Sequence, residues 1–163
     1  MLDLLAPAYD FYPTYIHKLV DDLPNERLCD QPVAGVTMNH AAFILGHLAW
    51  ANDNGAAMLT GGAPEFPAEW VELFKMGATP LPDRSRYPSK AELLGALEKA
   101  HARLRSAVGN ATPEVFDGPP PERMRARFPT KRQMVAGLML GHYANHVGQL
   151  SAWRRAMGFK GVF

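Results

Sequence analysis

Two histidines near the C-terminal end have the spacing of metal ligands. His142 and His146 stand four residues apart in the apolar stretch Leu138–Gly158. On an α-helix, such positions lie one turn apart on one face. Apolar residues share that face, so both imidazoles are predicted to point towards a core. Because a buried imidazole needs a hydrogen-bond partner or a metal ion, the pair leaves two interpretations open: satisfied core histidines or two metal ligands.

A third histidine on another predicted helix favours the metal. An apolar pattern predicts a helix over residues 37–59, with Thr37 as its N-cap and Gly61 and Gly62 as its end. His47 lies in the middle of its apolar face. Packed helices are about 8–10 Å apart, so His47 can share one metal ion with His142 and His146. Three imidazoles and an open position are typical of a catalytic rather than a structural divalent site.

The neighbours of these histidines suggest what surrounds the metal. All-imidazole ligation suits zinc, nickel, iron or copper, and we expect a divalent ion such as zinc, nickel, iron or manganese. Gln149 lies three residues beyond His146. It either holds that imidazole by a hydrogen bond or serves only as a packing amide between helices. Asn54 lies seven residues beyond His47 and is a candidate for a further hydrogen bond near the metal. Trp50 and Trp153 are expected in the core.

Other metal and nucleophile motifs do not fit the chain. A zincin helix needs Glu directly after its first histidine, and Tyr143 stands there. A di-iron carboxylate bundle needs two Glu-x-x-His units, but the chain offers one, Glu98 to His101. We interpret that unit as a surface pair. There is no glycine-rich phosphate loop and no Ser/His/Asp nucleophile pattern.

Four amphipathic helices are predicted to position the histidines. Apolar residues from Leu4 to Leu23 recur with a period near 3.6, with Pro13 either kinking this first helix or beginning it. Two capping boxes open the third and fourth helices, which end near Gly109 and at Gly158. The boxes are Ser89-Lys-Ala-Glu92 and Thr130-Lys-Arg-Gln133. With no convincing strand pattern, the fold class is an all-α four-helix bundle.

Two long, proline-rich connections separate the later helices. Residues 61–88 include a predicted short helix from Ala68 to Met76, and residues 111–129 form the second connection. Such lengths suit crossovers in a bundle, and the first could also hold a pocket lid. In the second, three arginines alternate with apolar residues, which is compatible with a short strand, a basic rim or a solvated linker. They are Arg123, Arg125 and Arg127.

Composition restricts the setting of the protein. A chain of 163 residues is expected to form one domain, residues 1–163, and a net charge of +1 provides no strong field for nucleic acid or an anionic membrane. The longest apolar run, residues 41–51, is too short to span a bilayer. Cys29 is the only cysteine, which excludes an internal disulfide and suits a reducing compartment. Without a basic N-terminal segment we expect no signal peptide and a cytoplasmic protein.

The chain resembles the DinB-like superfamily, which includes bacillithiol and mycothiol S-transferase-like proteins. An ordered set of motifs carries this resemblance: Ile44-Leu-Gly-His47-Leu, Glu69-Trp-Val-Glu-Leu-Phe, Arg86-Tyr-Pro-Ser, His142-x-x-x-His146-Val-Gly-Gln149-Leu, Arg154-Arg and Met157-Gly158. The resemblance implies a four-helix bundle with long crossovers and a divalent metal on His47, His142 and His146. It also implies a low-molecular-weight thiol as co-substrate and a homodimer.

Three hypotheses about function follow. The first is a metal-dependent thiol S-transferase, or a related hydrolase, that acts on an electrophilic small molecule. The second is a non-catalytic helical module that binds a metal or ligand in a stress response, so the sequence leaves open whether the protein is an enzyme. The third, a nucleic-acid partner, is disfavoured because the net charge is near zero and no helix has a basic face.

Overall fold

Four long helices dominate the fold. The structure is a computed structural model that describes residues 2–162, with side chains from Leu5 onward. The long helices are α1 (Leu2–Val20), α2 (Ala41–Thr60), α4 (Lys90–Asn110) and a C-terminal helix made of α6 (Lys131–Ala136), a π-helical segment (Gly137–His142) and α7 (Tyr143–Ala156). Two short helices lie in the connections, α3 (Val71–Phe74) and α5 (Pro113–Asp117). Residues 2–162 contain no strand, so the predicted all-α bundle is confirmed.

The second helix, α2, is the centre of the bundle. Of its 20 residues, 16 are buried, and its most extensive packing is against α4. It also packs on α7 and α3. Glycines permit the close approaches: a Cβ at Gly55 would lie 2.6 Å from a methyl carbon of Leu138 in the π segment. None of the helices within residues 2–162 is long and apolar enough to cross a membrane.

Both predicted capping boxes are confirmed. The Ser89 hydroxyl accepts the backbone N–H of Glu92, whose carboxylate accepts the N–H of Ser89 at 2.8 Å. Thr130 and Gln133 exchange the same pair of hydrogen bonds at the start of α6. Each box satisfies donors that the first helical turn would leave unpaired.

The start of α2 differs from the prediction. Its N-cap is His40, not Thr37, which is exposed in the preceding loop. The Nδ1 atom of His40 accepts the N–H of Phe43 at 3.1 Å, and its Nε2–H donates to the carbonyl of Leu81 at 2.9 Å. A histidine can cap here because the connection that follows α3 covers its other nitrogen. At the far end Gly61, with φ of +71°, terminates the helix as predicted.

One open alternative about the helices is decided, and one expectation is corrected. Helix α1 runs through Pro13 and does not begin there. The predicted apolar pattern starts at Leu4, whose side chain lies outside the described side chains. The prediction that Glu98 and His101 form a surface pair is wrong, because His101 is buried. Its ring stacks on that of Tyr9, with ring centroids 3.9 Å apart. Its supposed partner Glu98 is exposed and instead bonds His17 at 2.6 Å. The helical face that carries His101 packs on α1, and sequence spacing alone does not reveal that contact.

The connections contain turns rather than extended chain. The predicted short helix over residues 68–76 is a 3₁₀ turn, Ala68–Trp70, followed by α3. The arginine-containing stretch of the second connection includes a 3₁₀ turn, Glu122–Met124, so the strand interpretation is wrong. An ion pair between buried Asp53 and partly buried Arg103 joins α2 to α4. The carboxylate of Asp53 also accepts the backbone N–H groups of Glu65 and Phe66, which fixes the start of the first connection.

Candidate metal centre

Three histidines from two helices converge at one end of a cavity. His47 comes from α2, whereas His142 ends the π segment and His146 lies in α7. One ring nitrogen from each lies within 4.8 Å of the other two, and the Nε2 atoms of His47 and His142 are 3.1 Å apart. Two nitrogens that bind one tetrahedral ion at about 2.0–2.1 Å lie about 3.3 Å apart. The group therefore has the spacing of a shared metal site.

A backbone carbonyl orients His47. Its Nδ1 atom lies 2.7 Å from the carbonyl oxygen of Phe74, at the end of α3. Since a carbonyl oxygen only accepts, Nδ1 must carry the hydrogen, and Nε2 presents its lone pair to the other two histidines. Phe74 can reach this place because residue 46 is glycine, where a Cβ would overlap the Phe74 ring.

A side-chain amide orients His146 in the same way. Its Nδ1–H donates to the Oε1 atom of Gln149 at 2.9 Å. That oxygen also accepts the side-chain N–H of Asn39 at 2.9 Å, so its orientation is set from a second direction. The Nε2 atom of His146 consequently carries a lone pair that is free to bind a metal ion. Gln149 therefore contacts a ring of the group and does more than pack between helices.

His142 differs from the other two histidines. It is half-buried at the cavity wall, and its buried Nδ1 atom has no hydrogen-bond partner among the described residues. It ends the π segment, in which the helix makes wider turns, and the carbonyl of Leu140 accepts the hydroxyl of Tyr12 at 3.4 Å. The Nε2 atom, which is aimed at two imidazoles, fits a metal ligand, and the unpaired Nδ1 atom shows that the ring is not a fully satisfied core residue.

Burial keeps all three imidazoles neutral. It is the largest cause that lowers the pKa of each, and the charge of any neighbouring imidazolium lowers the values for His142 and His146 further. The pKa of His142 falls to about 3 and that of His146 to about 4. At pH 7 each therefore carries a lone pair for a metal ion. The candidate group contains no carboxylate, so a bound divalent ion would keep its full charge.

A cavity of about 510 Å³ adjoins the histidines. Its walls come from α2, the C-terminal helix and the second connection, with Met76 of the first connection at one side. Side chains of His47 and His142 line it directly. Its volume lies in the range of sites for small organic ligands, about 300–1,000 Å³.

The structure places the remaining candidate residues as follows. Asn54 lines the cavity, but its amide donates to the backbone carbonyl of Trp50 at 2.8 Å rather than to a histidine. Trp153 is fully buried, as expected, whereas Trp50 is a half-buried cavity wall that stacks on His47, which corrects its assignment to the core. Tyr143 lies in the core, where its hydroxyl accepts the amide of Asn52 at 2.5 Å.

Two features of the site had no sequence prediction, and a third was only one of three interpretations left open. The carbonyl of Phe74 is a backbone group, which any residue type could supply. The π segment has no sequence pattern that distinguishes it from the α-helix predicted for the same stretch. The convergence of Arg123 and Arg127 on the cavity had a weak signal in their alternation with apolar residues.

Comparison with known proteins gives one match. The family model of the DinB superfamily matches residues 8–150, which includes all three histidines and most of the chain. No curated protein matches the chain. No solved structure matches it either.

Proposed function

We propose that this chain, which belongs to the DinB superfamily, binds a divalent metal ion through His47, His142 and His146 and acts as a thiol S-transferase. One observation carries the proposal. Three neutral imidazoles present their free nitrogens to one another at the end of a cavity large enough for an organic ligand. The reaction class comes from the family resemblance, since an imidazole that binds a metal through Nε2 and carries a hydrogen on Nδ1 has no lone pair left to attack carbon.

The donor set fits a metal ion. Nδ1–H groups of His47 and His146 are held by oxygen acceptors, which leaves their Nε2 atoms free, as in many protein metal sites. Three nitrogen ligands leave coordination positions for an exogenous molecule. All-nitrogen ligation suits zinc, nickel or iron, and manganese stays among the candidates.

The chemistry requires little from the chain beyond binding and orientation. A divalent ion held by three neutral ligands supplies a Lewis acid that favours the thiolate form of a thiol at neutral pH. In the proposed transfer the thiolate sulfur forms a bond to an electrophilic carbon. The bond from that carbon to its leaving group breaks, and the leaving group departs with the electron pair and takes up a proton. Trp50 and the apolar walls would reduce the access of water to the reacting atoms.

A non-catalytic role is the alternative. The ligands come from two helices and are separated by up to 99 positions in sequence, from His47 to His146. A bound ion would therefore also cross-link α2 to the C-terminal helix. A module of this kind would bind a metal for stability or sensing and would consume no thiol. Turnover, rather than metal content, separates it from the transferase.

Metal content and thiol consumption test the proposal. Protein purified without a nickel column should contain close to one metal ion per chain, and His142→Ala should contain almost none. His17→Ala is the matched control, because His17 is a half-buried histidine bonded to Glu98 outside the site. Wild-type protein should then deplete one of several cellular thiols in the presence of electrophiles. Absence of metal from the wild type would refute the site, and a metal-loaded protein without turnover would favour the alternative.

Three wider features belong to the same proposal. We infer that residues 1–163 form one domain, that the protein is a homodimer, and that it resides in the cytoplasm. The dimer is inferred from the family resemblance. The compartment is inferred from the presence of a single cysteine, Cys29, in the sequence. Cys29 is buried, and burial raises its pKa to about 11, which disfavours a reactive thiolate. Limited proteolysis tests the single domain, sedimentation of the purified protein measures the oligomeric state, and cell fractionation measures the compartment.

A further inference from the structure

The cavity beside the three histidines carries two cationic side chains and no acid. Arg123 and Arg127 both line it, and no Asp or Glu among the described residues does. The guanidinium of Arg127 lies 5.2 Å from the ring centroid of Phe128, another wall residue. Neither arginine side chain forms an ion pair or hydrogen bond with any residue in the range 5–162. Their charges therefore have no counter-charge within the described chain.

These unpaired arginines contrast with most others in the protein. Arg103 and Arg154 form ion pairs with Asp53 and Asp22. Further arginines with a carboxylate partner are Arg27, Arg105 and Arg132. Arg84, Arg86, Arg125 and Arg155 also have no carboxylate partner among the described residues, but they do not line the cavity. Arg123 and Arg127 are unpaired and line the cavity, where they are positioned to bind an anion.

The local backbone brings the two arginines to the same cavity. In the turn that begins at Glu122, the carbonyl of Met124 accepts the N–H groups of Arg127 and Phe128 at 3.0 and 2.9 Å. This closed turn places Arg123, Met124 and Arg127 along one wall. Arg125 lies between them but does not line the cavity, and its Nε–H donates to the carbonyl of Pro120 at 3.1 Å.

Apart from two histidines of the group and the amides of Asn54 and Asn145, the rest of the cavity is apolar and adaptable. Methionines form much of the wall and are joined by aromatic and aliphatic side chains. They are Met58, Met76, Met124 and Met134, with Trp50, Phe128 and Leu138. Methionine side chains are flexible and polarisable, so such a wall accepts apolar groups of varied shape. A ligand that fills this space has a hydrophobic body.

We propose that Arg123 and Arg127 bind the carboxylate of a ligand whose apolar body occupies the methionine-lined cavity and whose other end reaches the three-histidine group. The planar guanidinium matches the geometry of a carboxylate, which favours this anion. The assignment of the far end rests on the proposed metal function, whereas the carboxylate site stands on the cavity alone. The substrate class is therefore an amphiphilic organic acid. In the proposed transferase reaction, either the thiol or the electrophile carries the carboxylate.

The first experiment compares two ligands that differ only in charge. Metal-loaded protein is titrated calorimetrically with a six-carbon mercapto acid and with the matching mercapto alcohol, each with its thiol at the end opposite the second group. We expect the acid to bind about tenfold more tightly, as two solvent-accessible charge-assisted contacts allow. Replacing both arginines, in Arg123→Gln/Arg127→Gln, should remove this preference and leave binding of the alcohol unchanged. Arg125→Gln is the matched control and should keep the preference.

The second experiment separates the carboxylate site from the metal. Metal-free protein is titrated with octanoate and with octanol, neither of which carries a thiol. Preference for octanoate in the wild type and its loss in the double variant would support the carboxylate site even if no metal or thiol bound. Equal binding of acid and alcohol would overturn it. So would an equal loss in Arg125→Gln, or a preference that persists in the metal-free double variant. If the preference in the first experiment persists in the double variant and disappears when the metal is removed, the metal holds the carboxylate and the arginine site is overturned.

Discussion

At the scale of single residues, the orientation of each imidazole matters as much as its position. His47 and His146 each donate through Nδ1 to an oxygen, which leaves Nε2 free. His47 could be found from sequence because an apolar stripe on α2 fixed the direction of its side chain. Its acceptor could not be found in this way, since a carbonyl of Phe74, 27 positions away, becomes a neighbour only after the first connection has folded.

Gln149 offers a direct test of this orientation. In Gln149→Leu the Nδ1–H of His146 loses its acceptor. The ring is then free to rotate, and its Nε2 atom becomes a weaker metal ligand. We expect metal affinity to fall about 10- to 100-fold, as for other hydrogen-bond partners of metal ligands. Gln149→Glu keeps an oxygen acceptor and should retain or exceed wild-type affinity. Competition with a chelator measures both, and equal affinities in Gln149→Leu and wild type would contradict the role of the amide.

His40 allows a prediction about acid stability. It is fully buried, and burial lowers its pKa to about 4, against an ordinary value of 6.5. Between these values the unfolded chain binds a proton that the folded chain does not, so stability falls as pH falls from 6.5 towards 4. The loss attributable to this group is about 3 kcal/mol when complete.

The matched variant is His40→Asn, which keeps an N-cap acceptor for Phe43 but has no group that titrates in this range. At pH 7 we expect it to be less stable than the wild type, because the hydrogen bond to Leu81 is lost. Below pH 5 the difference should shrink or reverse. Urea unfolding of metal-free protein from pH 7 to pH 4 measures it. Parallel stability curves for the two proteins would contradict the assignment.

At the scale of elements, the site depends on how closely α2 and its neighbours approach. Glycines at two positions of α2 admit Phe74 and Leu138 next to the helix backbone. The sequence allowed the long helices and their capping boxes to be predicted because those signals are local. The N-cap of α2 was misassigned because Thr37 has the right residue type, whereas His40 caps only with support from Leu81, 41 positions away.

Gly46→Ala tests the approach of α3 to α2. A methyl group at this position would overlap the Phe74 ring, so α3 must move and its carbonyl must leave His47. We expect a loss of about 1–3 kcal/mol in unfolding free energy, as is typical of overpacking. Metal affinity should fall along with it. Gly95→Ala is the control, because its added methyl meets no atom within 4 Å and should increase stability by up to about 1 kcal/mol. Unchanged metal affinity in Gly46→Ala would show that the carbonyl of Phe74 does not support metal binding by His47.

At the scale of the whole molecule, the three histidines join parts of the chain that are far apart in sequence. His47 and His142 are separated by 95 positions, and the C-terminal helix also docks on α1 through buried Arg154, which bonds Asp22 and the carbonyl of Leu19. The fold class could be predicted from helical periodicity. The cavity could not, because its walls combine α2, the π segment and both connections, whose relative placement follows from packing alone.

Metal binding should therefore stabilise the entire bundle. An ion that binds only the folded chain adds about 2.7 kcal/mol at a free concentration one hundred times its dissociation constant. For a chain of this size we expect the melting temperature to rise by about 5–10 °C. His142→Ala should lose this rise, whereas His17→Ala should keep it because its imidazole lies outside the group. Calorimetric scans with buffered zinc or nickel measure the shift. An equal rise in His142→Ala would place the stabilising ion elsewhere on the protein.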